Sequence, residues 1–415
     1  MHDSTTFLDS VRDFDVAIVG GGLVGCSLAC ALAPLGLSVG LVDAAGPAPL
    51  AADPRKLALA AASLEALSAL GVLGRLPSLP SPIRRLQVSR EGDFGRLELE
   101  STAFGRDAFG GVVLAGDLGA ALQQAVGALP GVHAVRGRAE AAGFGDACRV
   151  LAVRSEGASA ECWRARLVVA ADGTSSPLRA SAGIAVDEHD YGQTLIVTSV
   201  RLSAAAPATA YERLTATGPC ALLPMAGGRH GALCGVASGD AATVLALDDA
   251  GLADYLQSRF GWRAGRVLEV GARSAWPLRR VVARQLTAER LVLVGNAAQT
   301  LHPIGAQGFN LGLRDALSLV DALADARQAG ASAVDPGSDA VLADHAARRA
   351  EDRARTLAFS DGLARVTASD SPLHRVGRSL GFAALNLDAG LRAEFAMGAM
   401  GFRGRVPRLA RGAAA

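Results

Sequence analysis

The sequence predicts an α/β fold with a parallel sheet, and three separate stretches of the chain carry this prediction. Each stretch has a short, almost wholly apolar run, as a buried parallel strand should, followed by a glycine-containing turn. These stretches are residues 13–44, 165–184 and 289–323. Half of the 415 residues are apolar, so the chain can bury a large core, and its length suggests two or three domains.

The first stretch contains a glycine loop between a strand and a helix. The run DVAIV (15–19) is followed by glycines at G-x-G-x-x-G spacing, which permit a tight turn, close approach of a pyrophosphate, and close packing of the helix on the strand. The helix then directs its N-terminal amides at the phosphates. A glycine-rich turn without a ligand is the alternative. The candidate ligand-binding residues are Gly20, Gly22, Leu23, Val24 and Gly25.

An acidic residue follows at the distance that a dinucleotide-binding fold requires. The second strand, LSVGLVD (37–43), ends in Asp43, 18 positions after Gly25. A carboxylate there can accept hydrogen bonds from an adenosine ribose. The motif predicts a Rossmann-like domain but does not distinguish NAD from FAD.

The other two stretches favour a flavin. Residues 165–184 place Asp172 and Gly173 directly after a strand. Residues 289–323 contain a strand, a turn, His302 and Pro303, a second glycine turn and a long helix. The first amides of that helix could face an electron-rich ring edge, and the N1–C2=O region of a flavin becomes negative on reduction.

Taken together, these motifs resemble those of the FAD-dependent aromatic hydroxylases of the p-hydroxybenzoate hydroxylase class, in the ubiquinone-biosynthesis branch. Within this branch the sequence is most similar to the 2-polyprenyl-6-methoxyphenol hydroxylases, over almost the whole chain. The stretches that carry the resemblance are DPRKLALAAASLEALSALGV (53–72), PIRRLQVSREGDFGRLEL (82–99), YERLTATGPCALLPM (211–225) and VGNAAQTLHPIGAQGFNLGLRD (294–315).

The resemblance implies cofactor-binding roles for matching residues. Beyond the first glycine loop and Asp43, it implies FAD contacts for the D-x-R arginine, the D-G pair, the residues at the family's G-D position, and the loop over the flavin ring. These residues are Arg55, Asp172, Gly173, Gly295, Asn296, Gln307, Gly308, Phe309 and Asn310.

The sequence departs from the family pattern at three places. Position 296 is Asn where Asp is usual, so it can bond a ribitol hydroxyl but carries no charge. GAQG (305–308) reverses the more familiar A-G-Q-G order and moves the flexible glycine by one position. GGVVLAGDLGAAL (110–122) lacks charged residues that many relatives have, so one secondary cofactor contact is absent or made by backbone.

The resemblance also implies the architecture. We expect a discontinuous FAD-binding domain, a second β-sheet domain that binds substrate, and a C-terminal helical segment. The FAD domain is predicted over 1–75, 100–185 and 285–330, the β domain over 76–99 and 186–284, and the helical segment over 331–415. Strands of the β domain are indicated at 193–202 and 220–225.

The implied reaction is hydroxylation of a lipophilic phenol, a polyprenyl phenol of ubiquinone biosynthesis, with NAD(P)H as cosubstrate, O₂ and a flavin C4a-hydroperoxide. His302 is a candidate catalytic residue, or it holds its loop by a hydrogen bond. Pro303 stiffens the turn, and its carbonyl could face the reaction site. Tyr191 and Gln193 are candidate substrate contacts or core residues. Arg213 is a third candidate substrate contact, or a member of a structural ion pair.

Two other functions stay open. The chain could hydroxylate a different, soluble phenol, or it could be a non-catalytic assembly subunit that binds FAD for structure. We expect a cytoplasmic protein, and its lipophilic substrate suggests a place peripheral to the inner membrane or in a ubiquinone-biosynthesis complex. The C-terminal stretch GFRGRVPRLARG (401–412), with four arginines among apolar residues, could touch anionic lipid, stay solvated or dock on a partner.

Composition excludes several classes of function. Lys and Arg total 41 and Asp and Glu total 40, which gives no electrostatic case for nucleic acid. The six cysteines lack zinc-ligand spacing, so we expect no metal site and buried thiols of a reducing cytoplasm. The N-terminus does not resemble a signal peptide. Residues 57–74 approach a membrane span in hydropathy but contain Glu65, and we predict a core-facing helix there.

Overall fold

The computed structural model describes residues 10–45, 53–156, 159–329, 334–368 and 371–412. The stretch judged not to be a signal peptide lies largely outside these residues. The strands are β1 (Ser10–Val19), β2 (Val39–Asp43), β3 (Lys56–Ala60), β4 (Ser81–Ile83), β5 (Arg85–Arg90), β6 (Arg96–Glu100), β7 (Gly110–Leu114), β8 (Val132–Gly145), β9 (Cys148–Ser155), β10 (Glu161–Ala170), β11 (Val186–Leu202), β12 (Thr209–Thr215), β13 (Gly218–Pro224), β14 (Arg229–Ala237), β15 (Val267–Val270), β16 (Ser274–Ala283), β17 (Thr287–Ala288), β18 (Leu291–Leu293) and β19 (Gln299–Thr300). The helices are α1 (Leu23–Leu32), α2 (Ala61–Ala69), α3 (Ala115–Gly127), α4 (Pro177–Ser181), α5 (Ala241–Ala246), α6 (Asp249–Phe260), α7 (Gln307–Gln328), α8 (Asp339–Ala368), α9 (Pro372–Leu387) and α10 (Ala389–Met400).

The first sheet confirms the predicted α/β fold. Its parallel centre has the order β8–β2–β1–β10–β18, with β9 and β17 antiparallel to their neighbours. Leu28 of α1 and Leu317 of α7 are buried in one cluster with Ile18 and Leu167 of the sheet. Three predicted strand–turn–helix stretches therefore place their turns at the carboxyl edge of this sheet, where ligands of such folds bind.

The second sheet is mainly antiparallel. Its order is β19–β16–β11–β14–β13–β12–β5–β6, with β15 beside β11. Among the described strands of this sheet, only β12 and β5 pair in parallel. Successive residues of β13 point to opposite faces. Leu222 clusters with Leu252 of α6 on one face, and Leu223 clusters with Phe395 of α10 on the other. The apolar stretch 221–225 is thus divided between two cores.

A small third sheet, β3–β7–β4, corrects one prediction. The helix expected over 57–74 begins only at Ala61, because residues 56–60 form a strand antiparallel to β7. Residues 57–60 are all apolar. Without a polar residue among them, the sequence does not show whether the side chains follow the strand period of 2 or the helix period of 3.6. The domain boundaries stay a prediction.

The C-terminal segment folds back on the protein. Phe402, Val406 and Leu409 pack against the core next to α2 and α7, and Arg408 pairs with Asp325. The apolar side chains that could have faced lipid therefore face protein. In the described part of the chain, no helix is long and apolar enough to cross a membrane.

Candidate functional site

The three predicted turns are in contact with one another. A Cβ on Gly20 would overlap the carbonyl of Ala171, which links the first turn to the second. Arg179, 6% exposed, donates to Ala297 O in the third turn at 2.9 Å and to Thr174 O in the second turn at 2.9 Å. The second turn is therefore joined to both of the others.

Contacts between the first and third turns complete the arrangement. A Cβ on Gly295 would lie 3.2 Å from a Val24 methyl, and one on Gly312 of α7 would lie 2.9 Å from Gly295 Cα. Small residues let α1, the third turn and α7 approach closely. The result is one composite edge rather than three independent loops.

The first turn has the space and the charge that a pyrophosphate needs. Helix α1 begins after Gly22, and because glycine has no side chain, the first amides of the helix have no side-chain cap. A Cβ on Gly22 would meet no described atom within 4 Å. In contrast, a Cβ on Gly25 would overlap the carbonyl oxygen of Gly20. Uncapped amides at a helix N-terminus bind anions well, so Gly22 faces the candidate ligand and Gly25 packs the helix.

Asp43 lies where the sequence predicts it, at the end of β2. Its Oδ2 accepts a hydrogen bond from Gly21 N–H at 2.6 Å, and its Oδ1 accepts one from Ala45 N–H at 2.9 Å. These bonds fix the carboxylate beside the glycine loop. In this position the carboxylate can meet an adenosine ribose.

Arg55 is held by its neighbours at the start of β3. Its guanidinium pairs with Asp53 and lies over the Trp276 ring at 5.2 Å. Hydrogen bonds from Arg55 hold the pKa of Asp53 below its usual value against the opposing effect of burial. Arg55 is therefore oriented before any cofactor binds.

The second turn contains an incompletely paired acid. Asp172 Oδ2 accepts Leu178 N–H at 3.2 Å, whereas Oδ1 is buried with no hydrogen-bond partner among the described residues. Burial raises the pKa of Asp172. Gly173 closes the turn, because its carbonyl accepts Ser176 N–H at 3.1 Å. A buried oxygen without a hydrogen-bond partner at this edge suits a hydrogen bond from a polar ligand.

In the third turn, Asn296 is exposed while Gly295 and Ala297 on either side of it are buried. This leaves its amide directed outward, where it can reach a ribitol hydroxyl. The turn is fixed from behind by Asp315 of α7, which accepts Gly295 N–H at 3.2 Å and Gln299 Nε2–H at 2.5 Å.

The loop that follows has an unusual backbone. Gly305 and Ala306 both have positive φ, +69° and +52°, and the Pro303 carbonyl accepts Ala306 N–H at 3.0 Å. That carbonyl helps to close the turn, and its orientation towards the reaction site stays a prediction. Gln307 also closes the loop, donating Nε2–H to Gly305 O at 3.1 Å.

Helix α7 begins here with its first amides uncapped by any side chain. Gly308 has open space at its Cβ position, and Phe309 packs against the main core. Asn310 ties α7 to β3: its Oδ1 accepts Ala60 N–H at 2.9 Å and its Nδ2 donates to Ala58 O at 3.0 Å. The Asn310 side chain therefore joins α7 to β3.

His302 joins the two large sheets. It is 1% exposed, its Nε2 lies 3.0 Å from Gln193 Oε1, and the Tyr191 ring meets it edge-on at 4.6 Å. The Tyr191 hydroxyl in turn donates to Asp361 of α8 at 3.1 Å. Burial lowers the pKa of His302 to about 4, so its ring is neutral at pH 7. The sequence predicted three of these four residues.

Arg213 is not brought into this cluster. It lines a surface cleft of about 500 Å³ with Gly261 and Trp262, and pairs with Glu91 at 3.5 Å. The preceding residue, Glu212, points the other way and accepts Gly305 N–H at 3.4 Å. Burial raises the pKa of Glu212. The structure supports the ion-pair alternative for Arg213.

Sequence reasoning missed a buried charge network behind the third turn. Arg349 donates to Asp315 at 2.7 Å and to Asp352 at 2.9 Å, and Arg314 donates to Asp352 at 2.8 Å. Arg353 reaches Gln299 Oε1 at 2.7 Å. The only available indication was the unusual density of charge in the apolar surroundings of α7, and it does not specify partners on α8.

The chain is similar in sequence to known flavoproteins. A family model described as an FAD binding domain matches residues 13–338. Ubiquinone hydroxylase UbiL of Rhodospirillum rubrum is 36% identical over 404 residues, which cover 96% of this chain and 92% of the relative. The 3-demethoxyubiquinol 3-hydroxylase of Escherichia coli is 33% identical over 322 residues, 76% of this chain and 81% of the relative.

A solved structure gives the same fold. The p-nitrophenol 4-monooxygenase PnpA of Pseudomonas putida superposes with a TM-score of 0.78 at 18% identity, covering 95% of this chain and 99% of the other. The fold and the converged turns define an FAD-dependent monooxygenase of the aromatic hydroxylase class. The chain belongs to the FAD-binding family, in the group that includes the ubiquinone hydroxylases. The predicted family and fold are thereby confirmed.

Proposed function

We propose that this protein hydroxylates the ring of a polyprenyl phenol in ubiquinone biosynthesis, with FAD as cofactor, NAD(P)H as reductant and O₂ as oxygen source. The observation that carries the proposal is the contact of three separate turns at one sheet edge, directly beside the buried His302 cluster. Identity of 36% over 92% of a ubiquinone hydroxylase supports the substrate class.

The residues at this edge fit FAD. The free amides at the start of α1 and the open space at Gly22 suit a pyrophosphate, Asp43 suits the adenosine ribose, and Asn296 suits the ribitol. The uncapped N-terminus of α7 suits the flavin ring. When bound, FAD supplies the redox chemistry that activates O₂ for transfer to a ring carbon.

The chain itself supplies orientation and a dry environment. His302 is neutral and donates Nε2–H to Gln193, which leaves Nδ1, buried and without a partner among the described residues, as an acceptor. We assign Nδ1 to the hydroxyl of the phenol. The Tyr191–Asp361 hydrogen bond holds the Tyr191 ring against His302. Because His302 is only 1% exposed, this side of the site admits little water.

Purified protein tests the proposal directly. We expect a yellow preparation that oxidises NAD(P)H faster when a short-chain prenyl phenol is added, with formation of a hydroxylated product by mass spectrometry. His302→Ala should keep its FAD and lose most product formation. His230→Ala is a matched control, because His230 is also buried but lies on β14.

The possible results separate the alternatives. Turnover of soluble phenols, with prenyl phenols inactive, identifies a hydroxylase of another substrate. Bound FAD without stimulated NAD(P)H oxidation identifies an assembly subunit. A colourless protein that stays empty in excess FAD contradicts the cofactor assignment itself.

A further inference from the structure

One side of α9 exposes an apolar surface that lacks charge. Val376, Leu380, Ala383 and Leu387, spaced by four, three and four residues, lie along the same side of the helix. Val376 is 58%, Leu380 64% and Leu387 86% exposed. We call these four residues the α9 stripe. Between Val376 and Leu387 no exposed position carries a charged side chain, which is unusual for the solvent side of a surface helix.

The opposite side of α9 anchors it firmly to the second sheet. Arg378 pairs with Asp93 at 2.5 Å, and Asn386 donates to Arg96 O at 2.6 Å. Phe382 is part of the cluster beneath the helix. Because this face is fully engaged, the α9 stripe is held outward by the fold. Phe94, at the tip of the same β5–β6 turn, is 91% exposed.

Two aromatic side chains lie in a row between the candidate site and the stripe region. The ring of Phe359 on α8 lies 3.8 Å from a Cβ position on Gly305, and its centroid is 6.4 Å from that of Phe395 on α10. One turn before Phe395, Leu391 is 45% exposed. The row therefore runs from the loop beside His302 to the surface next to the α9–α10 junction.

The charges around this surface favour an anionic partner. Helix α9 contains two arginines and no acidic residue. Three arginines, Arg90, Arg375 and Arg378, share the one buried carboxylate of Asp93, and Arg375 is about half exposed, so positive charge is in excess here. Arg365 near the end of α8 is 63% exposed and pairs with Asp361. Of the nearby acids, Asp388 caps Leu391 N–H of α10, and Glu394 pairs with Arg403. Arginines bordering an apolar stripe suit phospholipid headgroups.

We propose that the α9 stripe and Phe94 dock on the surface of an anionic phospholipid bilayer, and that the prenyl phenol passes from the bilayer to His302 along Phe359 and Phe395. The substrate part of this inference rests on the proposed function. A stripe one helix wide is small beside the roughly 800 Å² that each partner buries in a typical stable protein interface, so a second copy is the less suitable occupant.

Vesicle co-sedimentation of the full chain tests the docking surface without depending on catalysis. We expect the protein to sediment with vesicles of phosphatidylethanolamine and phosphatidylglycerol, and less with phosphatidylcholine alone. The double variant Leu380→Glu/Leu387→Glu should bind the anionic vesicles at least roughly tenfold more weakly. The matched control is Trp262→Glu/Leu268→Glu, which adds the same charge at exposed apolar positions on the α6 side of the second sheet and should bind as the unaltered protein does.

The outcomes are distinct. Equal sedimentation of the stripe variant and the unaltered protein, or no sedimentation of either, overturns the inference. A dimer that the stripe variant loses, seen by size-exclusion chromatography without vesicle binding, overturns it in favour of a second copy. Unchanged FAD content and thermal unfolding show that the variant is folded.

Activity separates this inference from the proposed function. We expect the stripe variant to lose turnover of a long-chain prenyl phenol embedded in vesicles but to retain turnover of a short-chain soluble analogue. If the unaltered protein hydroxylates neither phenol yet binds vesicles through the stripe, the docking surface stands and the proposed function fails.

Discussion

The carboxylate of Asp315 accepts the backbone N–H of Gly295 at 3.2 Å while its other oxygen accepts Arg349 Nε–H at 2.7 Å. A buried ion pair between α7 and α8 thereby holds the third turn of the candidate site in place. Both side chains are essentially inaccessible, at 1% and 0% exposure. The geometry of the sheet edge proposed to bind the flavin therefore depends on residues that lie behind the site.

Removing one partner of this pair should be costly. Arg349→Met leaves Asp315 buried without its counter-charge and leaves Asp352 with Arg314 alone, so we expect the free energy of unfolding to fall by about 3–5 kcal/mol. Urea unfolding of the apoprotein measures this. Arg355→Met is the matched control on the same helix, because its pair with Glu351 is exposed and contributes at most about 1 kcal/mol. Similar losses in both variants would contradict a special role for the buried pair.

The reversed glycine order in the loop after Pro303 predicts opposite effects at two adjacent positions. Ala306 lies in the left-handed region at φ +52°, which costs an alanine roughly 1–2 kcal/mol. A glycine avoids this strain but loses more chain entropy on folding, so the net gain is smaller. Ala306→Gly should therefore stabilise the protein by up to about 1 kcal/mol. Gly305→Ala, at φ +69°, should destabilise it by about the same amount or more.

Thermal or urea unfolding of the two single variants and the swapped double variant measures both effects. The double variant restores the more familiar order and should lie close to the unaltered protein. A loss of stability in Ala306→Gly would show that the surrounding loop, rather than residue type, determines the left-handed conformation.

The local features of the site could be predicted from the sequence, and the long-range ones could not. The glycine loop, Asp43 and Asp172 were found because a strand, a turn and a helix follow one another within a few residues. The partner of His302 lies 109 residues away, and Asn310 bonds β3 some 250 residues away. No pattern within either segment specifies such a pairing.

Strand alternation explains why Arg213 lies apart from the other two candidate substrate contacts, Tyr191 and Gln193. Arg213 was a candidate because of its motif, but in a strand adjacent side chains point to opposite faces. The sequence does not reveal which face of β12 meets the 303–306 loop, and the structure gives that face to Glu212. The apolar run 57–60 was ambiguous for a related reason, since neither period can be seen without polar residues.

Two buried histidines predict how stability depends on pH. Burial lowers the pKa of His302 to about 4 and that of His345 to about 3, both below the unfolded value of 6.5. Below pH 6.5 the unfolded chain binds protons that the folded chain does not. The stability from these groups is complete above pH 6.5 and is lost as pH falls towards 4, by about 1.4 kcal/mol per pH unit for each histidine.

Urea unfolding at pH 7.5, 6.5, 5.5 and 4.5 measures this slope. His345→Leu removes one titrating group and two ring nitrogens that are buried without partners among the described residues. We expect a shallower loss of stability below pH 6.5 in this variant and little change in slope above it. A slope identical to that of the unaltered protein at all four pH values would contradict the assignment.

Two glycines of the first turn should separate cofactor binding from folding. Gly22 has an extended backbone at φ −69° that alanine adopts freely, and a Cβ there meets no described atom within 4 Å. Gly22→Ala should thus leave the apoprotein as stable as before, yet place a methyl where the pyrophosphate must approach the amides of α1. We expect FAD affinity to fall roughly tenfold or more, which corresponds to about 1.4 kcal/mol.

Gly25→Ala should behave in the reverse way, because its Cβ overlaps the Gly20 carbonyl and α1 must shift from β1 before any ligand is present. Flavin fluorescence titration and thermal unfolding of the apoproteins, measured on both variants, distinguish the two effects. Equal FAD affinity in Gly22→Ala and the unaltered protein would mean that the dinucleotide does not cross this turn, and the cofactor site would have to be sought elsewhere.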